Sequence, residues 1–321
     1  MQTDFDMVII GGGAAGLTAA QYGARANLRT LIVEQMANGG QCLLIEGLEN
    51  YPGFPEPLGG AEFTERFEAQ ARKFGAQFKI ATVTAVEKVG NHFRIETSEG
   101  ELTSLTVVMA TGAQHRMLGV PGEERYGGKG VSYCATCDGP FFRNKTILVV
   151  GGGDAACDEA TFLSKLTDKV IMVHRRDRFR AQKSLSERVL HNPNIEVRFN
   201  TVVNEITGEA NAMGIERVTG VTLRDTQSGE AYQEPVDAVF VFIGSIPQTA
   251  LIPEAPKDEA GYIITDINMQ TDVPGLFAVG DVRATPFRQL VVAASDGAIA
   301  AHGASTYIDE MAGMAYEAQP V

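Results

Sequence analysis

Met7-Val8-Ile9-Ile10-Gly11-Gly12-Gly13-Ala14-Ala15-Gly16-Leu17 decides the fold class, because a strand-sized apolar run empties into G-x-G-x-x-G and then into Ala-rich sequence up to Ala26. With the apolar run Leu31–Val33 behind it, this stretch predicts a βαβ unit. In such a unit Gly11 permits the tight turn, Gly13 lets backbone approach a pyrophosphate, and Gly16 lets the helix close on the strand. The anion rests on the helix N-terminus, where free N–H groups and the helix dipole favour negative charge. Glu34 ends the second strand, 23 residues after Gly11. An acid there accepts hydrogen bonds from ribose hydroxyls and repels a 2′-phosphate.

The same grammar returns 140 residues later: Thr146–Val150 is apolar, Gly151-Gly152-Gly153-Asp154-Ala155-Ala156 is the turn, Ala155–Lys165 is helical and Val170–Val173 is apolar. Two nucleotide sites follow. The residue 23 after Gly151 is His174, with Arg175, Arg176 and Arg180 behind it, and arginine forks suit a phosphate dianion. The first site thus takes a plain ribose and the second asks for a 2′-phosphate, which favours NADPH over NADH. The competing reading is a solvated basic stretch, since Asp177 and Arg178 stand inside it.

Further strands are expected at Phe78–Val89, His92–Thr97, Ser104–Met109, Ile195–Asn200, Gly220–Arg224 and Val236–Ile243. Glu62–Gly75 has helical spacing, with Phe63, Phe67, Ala71 and Phe74 on one face as a core stripe. A late run, Gly275-Leu-Phe-Ala-Val-Gly280-Asp281, has the form of a strand entering another Gly-Asp turn, so the first domain finishes after the second is complete. The expected fold is α/β, with two Rossmann-like, three-layer ββα nucleotide-binding domains. Residues 1–114 and 246–321 form the first, discontinuous one, and 115–245 form the inserted NADPH-binding one, which carries the cysteine pair.

The composition narrows the function. The chain has 27 Lys and Arg against 40 Asp and Glu, a net charge of −13 that repels nucleic acid. No apolar run approaches the ~20 residues of a membrane span. The N-terminus lacks the basic region and cleavage site of a signal peptide, so the cytosol is the expected compartment. Four Cys in 321 residues are too few for a disulfide scaffold.

Cys134-Ala135-Thr136-Cys137-Asp138 is a C-x-x-C, with Ser132 as a candidate N-cap and Gly139-Pro140 as the stop. A short helix there puts Cys134 at its N-terminus, which lowers a thiol pKa, and gives Asp138 a place to exchange a proton. A zinc half-site needs two more ligands, yet Cys42, Cys157 and five His form no second C-x-x-C or H-x3-H. Two structural thiols are the other alternative; an adjacent Asp and two nucleotide turns favour redox chemistry. Cys42 follows Gly39-Gly40-Gln41 where one class of flavin disulfide reductases begins a C-x4-C, but the partner position is Gly47. Cys42 and Cys157 read as small core fillers.

Taken in order, Gly11–Gly16, Gly39-Gly40-Gln41, Glu49-Asn50-Tyr51-Pro52-Gly53, Ala110-Thr111-Gly112, Cys134–Gly139, Gly151–Ala156, His174-Arg175-Arg176 with Arg180, and Gly280-Asp281-Val282 before Arg288-Gln289 carry a resemblance. From Met7 to about Ile308 the chain resembles the bacterial low-molecular-weight thioredoxin reductases. The resemblance implies FAD at the first turn, held by Gly11, Gly13, Ala14, Ala15, Gly16, Glu34, Gln35, Gly40, Gln41, Asn50, Val83, Ala110, Thr111, Gly112, Gly280, Asp281, Arg288, Gln289 and Leu290. It implies NADPH at the second, held by Gly151, Gly153, Asp154, Ala155, His174, Arg175, Arg176, Arg180, Ile243 and Gly244. It also implies a homodimer, thioredoxin as acceptor, Cys137 facing the flavin, Cys134 attacking thioredoxin, Asp138 as acid, and rotation of the inserted domain about its two connections.

Departures from the family pattern are Gln248 where Asn is usual, Arg283 where an acid is frequent, and Ala14 in place of Pro. They leave open which thioredoxin is preferred. Flavoproteins of this architecture that serve peroxiredoxins carry an extra N-terminal redox domain, whereas six residues precede Met7 here. Ferredoxin-fed ones have no need of the basic cluster. A flavin-binding sensor without turnover is expected to lose Cys134, Cys137 or the second turn, and all are present.

Overall fold

The computed structural model describes residues 3–45, 47–48, 50–210 and 214–313. Composition predicts a loose tail from Met311 to Val321; Met311 still belongs to the last helix, and Glu49 of the Glu49–Gly53 motif and tail residues 314–321 lie outside the described residues. The chain divides into two compact units, Met1–Gln114 with Ile246–Val321, and His115–Ser245.

The first stretch of chain forms β1 (Phe5–Ile10), α1 (Ala14–Arg25), β2 (Thr30–Glu34), α2 (Gly60–Lys73), β3 (Gln77–Ile80), β4 (Val83–Val89), β5 (His92–Thr97), β6 (Gly100–Met109) and β7 (Ala113–His115). Next come β8 (Val131–Ser132), α3 (Ala135–Asp138), β9 (Ile147–Gly151), α4 (Asp154–Leu163), β10 (Val170–Val173) and α5 (Lys183–Leu190). They are followed by β11 (Ile195–Arg198), β12 (Thr201–Ala210), β13 (Glu216–Asp225), β14 (Ala231–Glu234) and β15 (Ala238–Phe242). The chain closes with β16 (Ser245–Pro247), β17 (Leu276–Ala278) and α6 (Leu290–Met311). Strands β7 and β16 pair with each other where the chain passes between units.

In the first unit the sheet runs β3-β2-β1-β6-β5-β4, with β17 also on β6. Pairs β3-β2, β2-β1, β1-β6 and β6-β17 are parallel, whereas β4, β5 and β6 form an antiparallel meander. Alternation along β1 explains the layers. Met7 and Ile9 pack with Leu17, Ala20, Ala300 and Ala304 of α1 and α6, while Val8 and Ile10 pack with Val86, Phe93 and Ile95 of the meander. A strand covered on both faces has no polar side, so the sequence reads as one apolar run.

The second unit repeats this plan. Its parallel sheet is β11-β10-β9-β15-β8, and β12-β13-β14 is the antiparallel layer. Ile147 and Val149 meet Ala156 and Ala160 of α4, whereas Leu148 and Val150 meet Val203, Val221 and Leu223. Both units are therefore three-layer ββα, the fold class expected.

Two local expectations need correction. Phe78–Val89 is two strands, because β3 joins β2 in parallel and β4 turns back against β5, with Ala81 donating to the Glu34 carbonyl (2.9 Å) at the break. Phe63 and Ala71 are buried as the stripe requires, but Phe74 lies 38% exposed just past α2 under the Arg25 guanidinium, 5.2 Å from its ring centroid.

Candidate functional site

At the first turn Gly11 and Gly16 are demanded by backbone proximity. A Cβ on Gly11, whose φ is +109°, would lie 2.4 Å from the Ala110 carbonyl oxygen, and one on Gly16 only 2.0 Å from the Gly11 carbonyl oxygen. Gly13 caps α1 with no side-chain hydrogen bond, no acid stands in the first turn, and nothing lies within 4 Å of where a Gly13 Cβ would be. An open, uncapped helix N-terminus of this kind fits a pyrophosphate. Gly40 has φ +54°, and a Cβ there would lie 3.5 Å from the Gly13 Cα; the Gly39 N–H donates to the Gly12 carbonyl (2.7 Å).

Glu34 is spoken for by backbone. Its carboxylate accepts the N–H groups of Gly12 (2.7 Å), Gln35 (2.7 Å) and Met36 (3.2 Å). A carboxylate has about four acceptor positions, so capacity for a ribose hydroxyl remains. Val83 stands two residues beyond Ala81, which bonds the Glu34 carbonyl.

Around the turn, the Thr111 hydroxyl donates to the Gln248 carbonyl (2.6 Å), Gln41 Nε2 donates to the Ala113 carbonyl, and Asn50 Nδ2 donates to Gln289 Oε1 (3.0 Å). Gly112 has φ +68°. Gly280 has φ +69°, and a Cβ there would lie 3.1 Å from the Ala15 Cβ, so Asp281 follows a turn set beside this end of α1; Leu290 packs in one cluster with Ala14. Burial raises the Asp281 pKa against the opposing pull of Arg288, whose guanidinium covers the Tyr262 ring at 4.2 Å.

Sequence reasoning passed over Asp296. It is 4% exposed and accepts the Gly280 N–H (3.1 Å) and Arg283 Nη1 (3.1 Å), so this α6 carboxylate fixes the turn that presents Asp281. The available signal was a single acid in an otherwise small and apolar helical stretch.

The second turn has the same backbone but other neighbours. A Gly151 Cβ would sit 2.5 Å from the Phe242 carbonyl oxygen and 2.6 Å from the Ala156 Cβ. Gly153 caps α4 without a side-chain bond and has open space before it. Ile243 and Gly244 follow β15 beside Gly151, its partner being Phe242.

His174 is buried, and its ring occupies the place a Gly152 Cβ would need, 2.3 Å from Nδ1. Burial first, then Arg180, Arg176 and Arg175, lower its pKa, and its buried Nε2 has no hydrogen-bond partner. Arg175, Arg176 and Arg180 are exposed. The structure thus separates the predicted quartet into three surface guanidiniums and one imidazole behind them. Asp154 accepts two hydrogen bonds from Gln182, which hold its pKa down; Ala155 is exposed beside it.

Cys134 and Cys137 form a disulfide, Cα atoms 5.3 Å apart. Cys134 itself is the N-cap of α3, and its Sγ accepts the Cys137 N–H (3.2 Å). Ser132 does not cap. Buried at the end of β8, its hydroxyl donates to Asp138 Oδ2 (2.6 Å) and accepts the Cys134 N–H (3.1 Å), a positioning role that the sequence did not disclose. Gly139-Pro140 does not stop the chain's winding; Gly139–Phe142 continues as a 3₁₀ turn, with Pro140 supplying no N–H where none is needed. Cys42 and Cys157 are free and buried, and burial pushes both thiols up to about 11, which suits core fillers.

Among the described residues no cluster of metal-ligating side chains occurs, and no helix is long and apolar enough to cross a membrane.

Residues 5–297 match the family described as pyridine nucleotide-disulphide oxidoreductase. Among the similar curated proteins is a thioredoxin reductase of Treponema pallidum, 54% identical over 97% of this chain and 99% of its own. Another, from Listeria monocytogenes, is 42% identical over 96% and 95%. The crystal structure of thioredoxin reductase from Streptococcus pyogenes superposes with a TM-score of 0.89 at 41% identity, covering 95% of this chain and 98% of that one.

Proposed function

Because the chain belongs to the pyridine nucleotide-disulphide oxidoreductases and, within them, to the thioredoxin reductases, which use FAD and NADPH, we propose a residue-by-residue assignment of the reduction of thioredoxin. The observation that carries it is the Cys134–Cys137 disulfide at the head of α3, with Asp138 bonded through Ser132. Bound at the two glycine turns, FAD and NADPH supply the electron pair that converts this disulfide to a dithiol.

In the first unit Gly13, Ala14 and Ala15 offer the N-terminal end of α1 to a pyrophosphate, and Glu34 accepts from the adenosine ribose. Asp281, held by the Gly280 turn, and the Asn50–Gln289 pair line the same end. In the second unit Gly153 offers α4, and Arg175, Arg176 and Arg180 bind the 2′-phosphate as charge-assisted forks. These assignments are supported by the open helix ends and the exposed guanidiniums.

The exchange step follows from local hydrogen bonds. Cys134 Sγ receives a backbone N–H, a contact that stabilises a thiolate, so Cys134 is the attacking sulfur. Its thiolate attacks one sulfur of the thioredoxin disulfide, and the displaced sulfur leaves as a thiolate that takes a proton from Asp138. Cys137 gives its proton to the Asp138 carboxylate and, as thiolate, attacks Cys134 in the mixed disulfide; the Cys134–Cys137 bond re-forms, and the second thioredoxin sulfur leaves as a thiolate that takes this proton from Asp138. Two electrons and two protons pass to thioredoxin. Ser132 keeps the Asp138 carboxyl beside the pair.

A homodimer in the cytoplasm is the assembly and compartment that the resemblance supports. The test is NADPH oxidation by the FAD-loaded protein under anaerobic conditions, with and without oxidised thioredoxin. Thioredoxin-dependent turnover, lost in Cys134→Ser and Cys137→Ser, is the expected result. If NADPH bleaches the flavin but thioredoxin is not reduced, the acceptor assignment fails and the hydride half stands.

A further inference from the structure

The loop that follows β10 carries the basic cluster, and three sets of contacts fix its path. Near its start, the His174 N–H donates to the Arg198 carbonyl (3.0 Å) and the Asn200 N–H donates to the Arg176 carbonyl (3.0 Å). In its middle, Phe179 packs edge-on against Phe199 at 4.9 Å between ring centroids. At its end, the Arg180 N–H donates to the Gly152 carbonyl (2.7 Å), and Gln182 gives both its backbone N–H (2.7 Å) and its side-chain Nε2 (3.0 Å) to the Asp154 carboxylate. Between these anchors Arg175, Arg176, Arg178 and Arg180 are all exposed.

Asp154 is out of place for a phosphate ligand. A carboxylate in the first turn of α4 repels an anion at that helix end, and the first glycine turn has Ala14 at the corresponding position. Both of its oxygens are engaged by a single residue, Gln182, which directly precedes α5.

We infer that Asp154 is a positioning residue rather than a cofactor ligand: through Gln182 it ties the end of the arginine loop to the glycine turn and so sets the preference for a 2′-phosphorylated dinucleotide. The inference rests on reading the second turn as the NADPH site. Its physical basis is preorganisation. Guanidinium forks recognise a phosphate only when held within roughly 0.5 Å of the productive geometry, and a loop released at one end must be ordered at the expense of binding. Asp154 is exposed, so its replacement opens no core.

The experiment measures dissociation constants of NADP⁺, NAD⁺ and 2′,5′-ADP for the FAD-loaded protein by titration calorimetry, in wild type, Asp154→Ala, Gln182→Ala and Asp154→Asn. Oxidised dinucleotides transfer no hydride, so binding is read alone. Asp154→Ala is expected to weaken NADP⁺ and 2′,5′-ADP about tenfold and NAD⁺ less than twofold; Gln182→Ala, which keeps its backbone N–H to Asp154, is expected to weaken NADP⁺ and 2′,5′-ADP about threefold. Asp154→Asn, whose amide still accepts the Gln182 N–H, is expected within twofold of wild type. Equal losses for NADP⁺ and NAD⁺ would place Asp154 at the shared pyrophosphate and overturn the inference, as would an unchanged NADP⁺ affinity in Asp154→Ala. Wild type binding NADP⁺ no tighter than NAD⁺ would instead overturn the reading of the site itself, and the inference with it.

Discussion

At the first glycine turn the middle glycine, Gly12, gives its N–H to the Glu34 carboxylate at 2.7 Å; at the second, the residue equivalent to Glu34 is His174, and its ring fills the space beside Gly152. The two turns share a strand, a helix and an uncapped N-terminus, yet they are closed by groups of different charge and size. At the first, the acid knits the turn together. At the second, a neutral imidazole does the packing, and the charge is moved outward to a loop of arginines. The lesson is that one backbone geometry can be closed by an acid or by an imidazole, so the residue at the end of the second strand sets the charge beside the turn.

The largest difference to exploit is at the third glycine. A methyl on Gly16 would stand 2.0 Å from the Gly11 carbonyl oxygen, a backbone atom that cannot step aside, whereas the second turn carries Ala156 there natively. Gly16→Ala should cost about 3 kcal/mol or more and yield colourless protein without flavin absorbance. The mirror change, Ala156→Gly, should cost about 1 kcal/mol in thermal unfolding and leave NADP⁺ affinity intact. Flavin retained in Gly16→Ala would mean that the two turns are interchangeable.

Next in size is the phosphate preference. Arg175→Gln with Arg176→Gln should raise the KM for NADPH roughly 30-fold, about 2 kcal/mol for lost charge-assisted bonds, and leave NADH within twofold. A parallel rise for NADH would show that the cluster does not read the phosphate. At the first turn, Glu34→Gln keeps the shape and removes the charge, so FAD binding measured by ultrafiltration should weaken, its dissociation constant rising about fivefold to tenfold. No change there would leave the acid a purely local brace.

The smallest effect lies in pH. His174 titrates lower in the folded chain than its ordinary value of 6.5, chiefly through burial and then Arg180, Arg176 and Arg175. The unfolded chain therefore takes up the proton first, and stability falls as pH drops below 6.5. Glu159 on α4, pushed up to about 7 by burial and Asp158, acts in the opposite sense over the same range. Comparing wild type with His174→Asn cancels it: denaturant midpoints at pH 7.5 and 5.5 should show wild type losing more on acidification than the variant.

Both turns were legible because steric need restricts Gly11, Gly16 and Gly151 to glycine, and the cysteine pair because its spacing is chemical. Helix α2 was legible from Phe63, Phe67 and Ala71, whose spacing matches one buried face. Helix α6 was not. It is rich in small residues, and it packs by close approach, with Gly297 where a Cβ would lie 2.2 Å from the Ala15 carbonyl oxygen. Such a face has little amphipathic contrast for periodicity to reveal. The break inside Phe78–Val89 was hidden for a related reason: one β-rich run serves two partners, and only pairing says where it changes from one to the other.

By itself the sequence determined two βαβ turns, the cysteine pair between them, the acid at the end of the second strand of the first unit and the arginines at the corresponding place in the second, because each is a local pattern. Tertiary structure alone decided which side chains hold those patterns in place. Ser132 meets Asp138, Asp296 meets the Gly280 turn, and Gln182 meets Asp154. Those contacts join residues that periodicity cannot pair, since a hydrogen bond depends on where two segments finish in space and not on the spacing within either.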